Sequence, residues 1–139
     1  MRVVLDTNVL VSGALSPHGA AAQIVRMVSA GALTLCFDAR MLQEYREVLG
    51  RPRFGFLASA VHALLDQVRG AGDLVTTMPL PIALPDADDE PFLEAAIAGG
   101  AEFLVTFNLK HFPLAARHGI RVVLPAEFLR QFRRRLQER

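Results

Sequence analysis

The sequence predicts an α/β fold, a three-layer α/β/α sandwich around a central, mainly parallel sheet of about five strands. Short apolar runs alternate with longer segments of helical period, which is typical of repeated β-α units. Three of the runs are rich in Val or Leu with little alternation, as expected for strands covered on both faces. The chain has 139 residues, 52% of them hydrophobic and 21% charged, so it has enough apolar side chain for one compact core.

Each element is predicted from a local pattern. The five strands are short apolar runs at residues 2–5, 33–37, 74–78, 103–107 and 121–124. Five helices are predicted at residues 20–30, 38–49, 54–69, 90–98 and 126–137. Capping and breaking residues mark several ends, such as Asp38 before the second helix and Gly31 after the first. The proline-rich stretch 78–85 is predicted to be extended and to lead into an acidic loop.

Composition excludes some classes of protein but does not identify a partner. The 15 Lys and Arg residues oppose 14 Asp and Glu residues, whereas a nucleic-acid-binding domain is typically strongly basic. The single cysteine, Cys36, excludes an intramolecular disulfide, and the chain has no Cys/His array with zinc spacing. The sequence has no apolar signal-peptide core, and its longest uncharged stretch, 7–25, contains proline and glycine.

From these observations we expect a soluble, cytoplasmic protein that does not enter a membrane. We expect a single domain over residues 1–139, in which residues 126–139 form a basic C-terminal helix with its arginines away from an apolar face.

The first candidate site residue is Asp6, which directly follows the first predicted strand. In open α/β sheets, ligands bind beyond the carboxyl ends of the strands, where the strand order reverses. The alternative is that Asp6 only caps the helix that follows it, since aspartate is a common N-cap.

Four acids occur within residues 86–90, ahead of Pro91. A helix N-terminus stabilises nearby carboxylates, so one or two acids would be explained by capping. Four closely spaced carboxylates repel one another, and a hard divalent cation would relieve that repulsion. We therefore favour metal binding for some of these acids and capping for others.

Three further residues are candidates for the site, one on a predicted helix and two at the end of a predicted strand. Glu44 lies at the border of the apolar stripe of its helix, from which it can reach a cleft, while Glu47 points further toward solvent. The alternative for Glu44 is an ordinary surface residue paired with Arg40. Thr106 and Asn108 end the fourth predicted strand, where they can either form a turn or hold a carboxylate or a metal-bound water.

Together these motifs resemble those of the PIN domain family, in the same order. The resemblance rests on four segments of the sequence, Asp6-Thr7-Asn8-Val9-Leu10, Leu42-Gln43-Glu44-Tyr45, Asp86-Ala87-Asp88-Asp89 and Leu104-Val105-Thr106-Phe107-Asn108. It covers the chain from Val3 to about Leu124 and is greatest for the toxins of type II toxin-antitoxin pairs.

The resemblance implies a metal-dependent endoribonuclease. It assigns the three catalytic and metal-binding acids to Asp6, Glu44 and Asp89, with Mg²⁺ as the cofactor and Mn²⁺ as a substitute. Asn108 stands where many members have a fourth aspartate, and it is carried over as a metal ligand. Asp86 matches a frequent acid of this branch and is a further candidate ligand.

The resemblance also implies supporting residues and partners. Asn8 and Thr106 are the supporting residues. The implied partners are an RNA substrate, a cognate antitoxin protein and a second copy of the chain in a homodimer. The four histidines have no ligand spacing and are expected at the surface, with His111 nearest to a substrate. The arginine run 130–135 is expected to be a solvated face more than an RNA contact.

Two other function classes remain open from the sequence. An aspartyl-phosphate phosphotransferase also uses an aspartate after the first strand, but its phosphatase version needs a second Asp at position 8. A receiver domain needs a lysine at a later strand end, whereas Lys110 follows Thr106 too closely. The other class is a catalytically inactive PIN fold that binds RNA or protein, for which Asn108 is the support.

Overall fold

The computed structural model describes residues 1–138. Within them, the strands are β1 (Arg2–Leu5), β2 (Thr34–Phe37), β3 (Asp73–Leu74), β4 (Phe103–Val105) and β5 (Arg121–Val123). The helices are α1 (Thr7–Leu15), α2 (Ala20–Ser29), α3 (Ala39–Leu49), α4 (Ala58–Ala71), α5 (Glu90–Ala98) and α6 (Pro125–Gln137). Short 3₁₀ turns occur at Pro52–Phe54, Ala87–Asp89, Leu109–His111 and Leu114–Ala116.

The five strands form one parallel sheet in the order β3-β2-β1-β4-β5. After β1, the chain adds β2 and then β3 on one side of β1. It then crosses to the other side of β1, where it forms β4 and β5. The strand order therefore reverses between β1 and β4. Leu5 pairs with Val105, and Val105 with Val123, so the carboxyl ends of β1, β4 and β5 lie level.

Helices cover both faces of this sheet. The connections β1-β2 and β2-β3 run in one direction, whereas the connection through α5 runs back over β2 and β1. Right-handed crossovers therefore place α5 on the face opposite to α1 through α4. The predicted three-layer α/β/α fold with about five mainly parallel strands is confirmed. No helix within residues 1–138 is long and apolar enough to cross a membrane.

A buried tyrosine joins α3 to the central strands. The side chains of β1 from Val3 to Leu5 and those of β4 are almost fully buried. Tyr45 of α3 is also fully buried, and its hydroxyl donates a 2.6 Å hydrogen bond to the carbonyl oxygen of Leu5. This bond fixes α3 against the end of β1, directly before Asp6.

Tyr45→Phe is expected to lower the free energy of unfolding by about 1–3 kcal/mol, because a buried carbonyl loses its donor. Urea unfolding followed by far-ultraviolet circular dichroism measures the change. An unfolding free energy equal to that of the wild type would contradict the assignment of this bond.

The largest differences from the sequence prediction concern three elements, of which two are shorter than predicted. The third strand has two residues instead of five. Beyond it, Arg40 of α3 donates to the Thr77 hydroxyl and the Leu80 amide donates to Glu94 of α5, so this segment bonds to helices instead of to β2. The predicted helix at 54–69 begins only at Ala58, since Pro52–Phe54 forms a turn that ends at Gly55 with φ of 68°.

A third difference is helix α1, which the sequence pattern does not predict and which begins directly after Asp6. Its first apolar residues, Val9 to Val11, are consecutive and all buried, so they do not show the period of a surface helix. Helix α6 occupies Pro125–Gln137, where the sequence pattern predicts a helix over 126–137, and Pro125 lies in its first turn. The predicted basic segment extends to Arg139, which lies outside the described residues.

Candidate active site

The predicted site residues at the strand ends lie where the strand order reverses. Asp6 directly follows β1 and Thr106 directly follows β4, and these two strands are neighbours in the sheet. The Asp6 amide donates to the Val105 carbonyl oxygen over 2.9 Å, which continues the strand pairing one residue further. The fold thus brings Asp6 and Thr106 together at the edge where α/β sheets bind ligands.

Both oxygens of the Asp6 carboxylate accept hydrogen bonds. Oδ1 accepts from the Thr7 amide at 2.8 Å as the N-cap of α1, and Oδ2 accepts from the Thr106 hydroxyl at 2.7 Å. Asp6 is therefore both a helix cap and a strand-end acid. Burial raises the pKa of Asp6, while the two hydrogen bonds and the charge of His111 oppose that rise.

Glu44 lies on α3 with its side chain half-buried and accepts a hydrogen bond at Oε2 from the Thr7 hydroxyl. The alternative pairing with Arg40 is wrong, because Arg40 pairs with Asp38 and Glu94 instead. Burial raises the pKa of Glu44, and the negative charge of Asp6 adds to the rise. Thr7 joins the two acids, since its amide binds Asp6 and its hydroxyl binds Glu44.

Asp89 ends the 3₁₀ turn that precedes α5, and its side chain is 13% exposed. The Nδ1 atom of His111 lies 3.0 Å from Asp89 Oδ2, which is within ion-pair distance, but the contact does not meet the geometry of a hydrogen bond. This buried oxygen therefore has no hydrogen-bond donor within residues 1–138. Burial raises the pKa of Asp89 to about 6, and the Asp6 charge adds to the rise, while His111 opposes it.

Of the remaining acids in residues 86–90, Asp86 and Glu90 accept hydrogen bonds from backbone amides, whereas Asp88 is exposed. Asp86 Oδ1 accepts from the Asp88 amide at 2.9 Å, and Glu90 Oε2 accepts from the Leu84 amide at 3.0 Å. Two of the four acids thus stabilise local backbone, which leaves Asp88 and Asp89 without such a role.

Thr106 is fully buried, whereas the side chains of Asn8 and Asn108 are exposed. The backbone amide of Asn108 donates to the Thr106 hydroxyl oxygen over 3.0 Å, and the hydroxyl hydrogen is donated to Asp6. Asn108 thus supports the site through its backbone. Its side chain and that of Asn8 make no hydrogen bond to the acids within the described part of the chain.

Two residues contact the acids in ways that the sequence does not predict. Thr7 follows Asp6 in sequence, but its contact with Glu44 depends on the packing of α1 against α3. His111 lies one 3₁₀ turn beyond Asn108, and this turn brings it to Asp89. The short spacing from Asn108 to His111 is the only sequence signal for the second contact.

A family model described as a PIN domain matches residues 2–110 of the chain. The matched span includes every acid of the site and most of the sheet. The chain belongs to the PIN domain family. No curated protein matches it. PIN domains are generally nucleases and typically use divalent metals, so the family membership confirms the sequence resemblance and the nuclease-type fold.

The residues of this PIN domain fit a divalent cation. Asp89 Oδ2 is a buried carboxylate oxygen that accepts no hydrogen bond within residues 1–138, and carboxylate oxygens are the ligands that Mg²⁺ and Mn²⁺ prefer. Burial is the main cause of the raised pKa values of Asp6, Glu44 and Asp89, so a bound cation would favour their charged forms. Within residues 1–138, however, no three His, Cys, Asp or Glu side chains already form a closed metal-binding group.

In this PIN domain, Thr106→Val is expected to raise the pKa of Asp6 further. Valine has nearly the same shape as threonine but cannot donate to Asp6 Oδ2, so the charged form of Asp6 loses a stabilising hydrogen bond. Carbon-13 NMR titration of the Asp6 carboxyl group measures the shift. The exposed Thr76 provides the control, Thr76→Val, which should leave the titration unchanged. An Asp6 titration that is the same in both variants would contradict the role of Thr106.

Proposed function

We propose that this PIN domain is a metal-dependent endoribonuclease that hydrolyses RNA phosphodiester bonds. The observation that supports the proposal best is the buried Oδ2 of Asp89, which accepts no hydrogen bond within residues 1–138 and is close enough to Asp6 for their charges to interact. A phosphodiester resists hydrolysis because its negative charge repels nucleophiles. A site that concentrates carboxylates at a ligand-binding sheet edge, with cations to neutralise them, suits this reaction.

Asp6, Glu44 and Asp89 would hold Mg²⁺, or Mn²⁺ in its place, with Asn108 and Asp86 as further candidate ligands. The bound cation would supply positive charge for the phosphate oxygens and make a water molecule nucleophilic at neutral pH. The protein's own contribution is to fix the acids. Thr106 and the Thr7 amide orient Asp6, and the Thr7 hydroxyl orients Glu44.

His111 adds a positive charge to this group whenever its ring is protonated. Its ring lies 3.0 Å from Asp89 Oδ2 and is 46% exposed, so it can contact both the acid and an incoming phosphate. We infer that it assists substrate approach and does not replace a metal ligand.

Cleavage of labelled RNA by the purified protein tests the proposal. We expect cleavage in Mg²⁺ and in Mn²⁺, and none in excess chelator. Cleavage that persists in chelator would contradict a metal mechanism. A folded protein that cuts no RNA and binds no divalent cation would instead identify a catalytically inactive PIN fold, the alternative that Asn108 supports.

We further propose that the nuclease is the toxin of a type II toxin-antitoxin pair, acting in the cytoplasm as a homodimer with a cognate antitoxin protein. The support is the similarity of its motifs to that branch of the family. Expression of the chain alone should arrest growth, and co-expression of a small protein encoded beside it should relieve the arrest. Normal growth during expression of a protein that cleaves RNA in vitro would contradict the toxin role.

A further inference from the structure

A groove of about 540 Å³ runs along the edge strand β5, between α6 and the turn at Leu114–Ala116. Its polar lining consists of Arg117, Arg121, Gln131 and Arg134. A smaller hollow of about 150 Å³ shares Arg121, Gln131 and Arg134 and adds Arg135 and Glu138. We refer to these two connected hollows as the β5 groove.

The β5 groove has an excess of positive charge. Within residues 1–138, no carboxylate oxygen lies within salt-bridge distance of Arg117, Arg121 or Arg134. Arg117 donates to the carbonyl oxygen of Phe112 at 2.7 Å, which positions its guanidinium without neutralising it. Arg135 pairs with Glu102 at 2.7 Å, so four arginines face two carboxylates, Glu102 and Glu138.

The arginines of α6 are exposed or half-buried and have different neighbours. Arg130 pairs with Glu127, and Arg133 turns toward Gln23 of α2 at 3.5 Å. Arg134 instead lines the groove beside β5. There it meets Arg121 of β5 and Arg117 of the preceding loop, so three separate parts of the chain direct arginines to one groove. A helix with a merely solvated basic face does not require this convergence.

The β5 groove begins beside the acidic site. Val123, at the carboxyl end of β5, lines the groove, and its carbonyl oxygen accepts from the Thr106 amide at 3.0 Å. The Thr106 hydroxyl in turn binds Asp6. Arg121 lies at the other end of β5, level with Phe103 and Val3. A strand of nucleic acid with its phosphate at the acids would therefore have to run along β5 to reach the arginines of the groove.

We propose that the β5 groove binds the phosphate backbone of single-stranded RNA along β5, at a distance from the cleaved bond. The inference rests on the proposed nuclease function and adds to it a substrate-binding surface. Guanidinium groups match the geometry of phosphate oxygens and hold them by paired, charge-assisted hydrogen bonds. Among residues 1–138, no aromatic side chain lines the groove. We therefore expect it to contact the phosphate backbone and not to stack on the bases.

The test measures RNA binding and cleavage separately. Binding of a labelled single-stranded RNA of about 12 nucleotides is followed by fluorescence anisotropy in chelator, so that no cleavage occurs. The double variant Arg121→Gln/Arg134→Gln is compared with the wild type. The control Arg53→Gln/Arg69→Gln removes the same charge at exposed positions outside the groove. Circular dichroism verifies that each variant is folded.

We expect the groove variant to bind RNA at least about tenfold more weakly, and the control to bind it as the wild type does. The dependence of log affinity on log salt should weaken by about 1.4, or about 0.7 for each phosphate that an arginine no longer neutralises. Arg121→Lys/Arg134→Lys keeps the charges and should restore most of the affinity. In Mg²⁺, the groove variant should raise KM more than it lowers kcat.

Equal RNA affinity and salt dependence in the groove and control variants would overturn the inference, whether or not the protein cleaves RNA. Binding through the groove without any cleavage in Mg²⁺ would support the groove and contradict the nuclease. If polyglutamate binds to the wild type but RNA does not, the groove serves an acidic protein and the inference fails.

Discussion

Asp6→Asn is expected to reduce the rate of RNA cleavage by about a thousandfold, because it removes a carboxylate from a cation that contributes several kcal/mol to the transition state. The fold should be retained. Asparagine is also a good N-cap, and its Oδ1 atom can still accept the Thr7 amide hydrogen. Single-turnover cleavage at saturating Mg²⁺ gives the rate, and thermal unfolding gives the stability.

Asp38→Asn is the matched control for this substitution. Asp38 is also a buried N-cap, on α3, and it accepts from the Met41 amide at 3.0 Å and pairs with Arg40. Its replacement should lower stability, because Arg40 loses a partner, while cleavage stays within about threefold of the wild type. A wild-type cleavage rate in Asp6→Asn would contradict the account, as would an equal loss of cleavage in the two variants.

Asp89→Asn is expected to weaken cation binding and cleavage and yet to stabilise the fold at pH 7.5. The pKa of Asp89 is about 6 in the folded protein against 3.8 for a free aspartate. Between about pH 4 and pH 6, the folded state therefore holds a proton that the unfolded state has lost. The free energy of unfolding falls as the pH rises through this range, and above it the buried charge remains unfavourable. Asparagine carries no charge and avoids this loss.

Urea unfolding in chelator measures the effect at several pH values. The gain in Asp89→Asn should be largest near pH 7.5 and should shrink as the pH falls toward 4. The exposed neighbour Asp88 supplies the control, since Asp88→Asn should show no such pH dependence. A lower stability of Asp89→Asn at pH 7.5, or a difference that does not vary with pH, would contradict the raised pKa.

Strand ends made part of the site predictable from sequence. Asp6 and Thr106 each follow a short buried run, and parallel pairing brings such positions to one edge of a sheet. The helical period placed Glu44 at the border of a buried face, which agrees with its half-buried position and with the exposure of Glu47. That Glu44 faces Asp6 depends on the packing of α3 against α1, and only the family resemblance indicated it.

Interactions between distant segments account for what the sequence did not predict. Arg40 binds Glu94 and Thr77 in the region where β3 ends after two residues. These contacts join segments that are distant in sequence, so a local apolar pattern does not predict them. The proximity of His111 to Asp89 depends on where α5 and the turn after β4 meet. The arginines of α6 form one run in sequence, but their directions are set by the neighbours α2 and β5.

Titration with Mn²⁺, followed by electron paramagnetic resonance, tests the central claim that these acids form a divalent cation site. Wild type and Asp88→Asn should bind Mn²⁺ with equal affinity. Asp6→Asn and Asp89→Asn should bind it at least about tenfold more weakly, because each loses a carboxylate ligand. Equal Mn²⁺ affinity in all four proteins, or no binding to the folded wild type, would contradict the account.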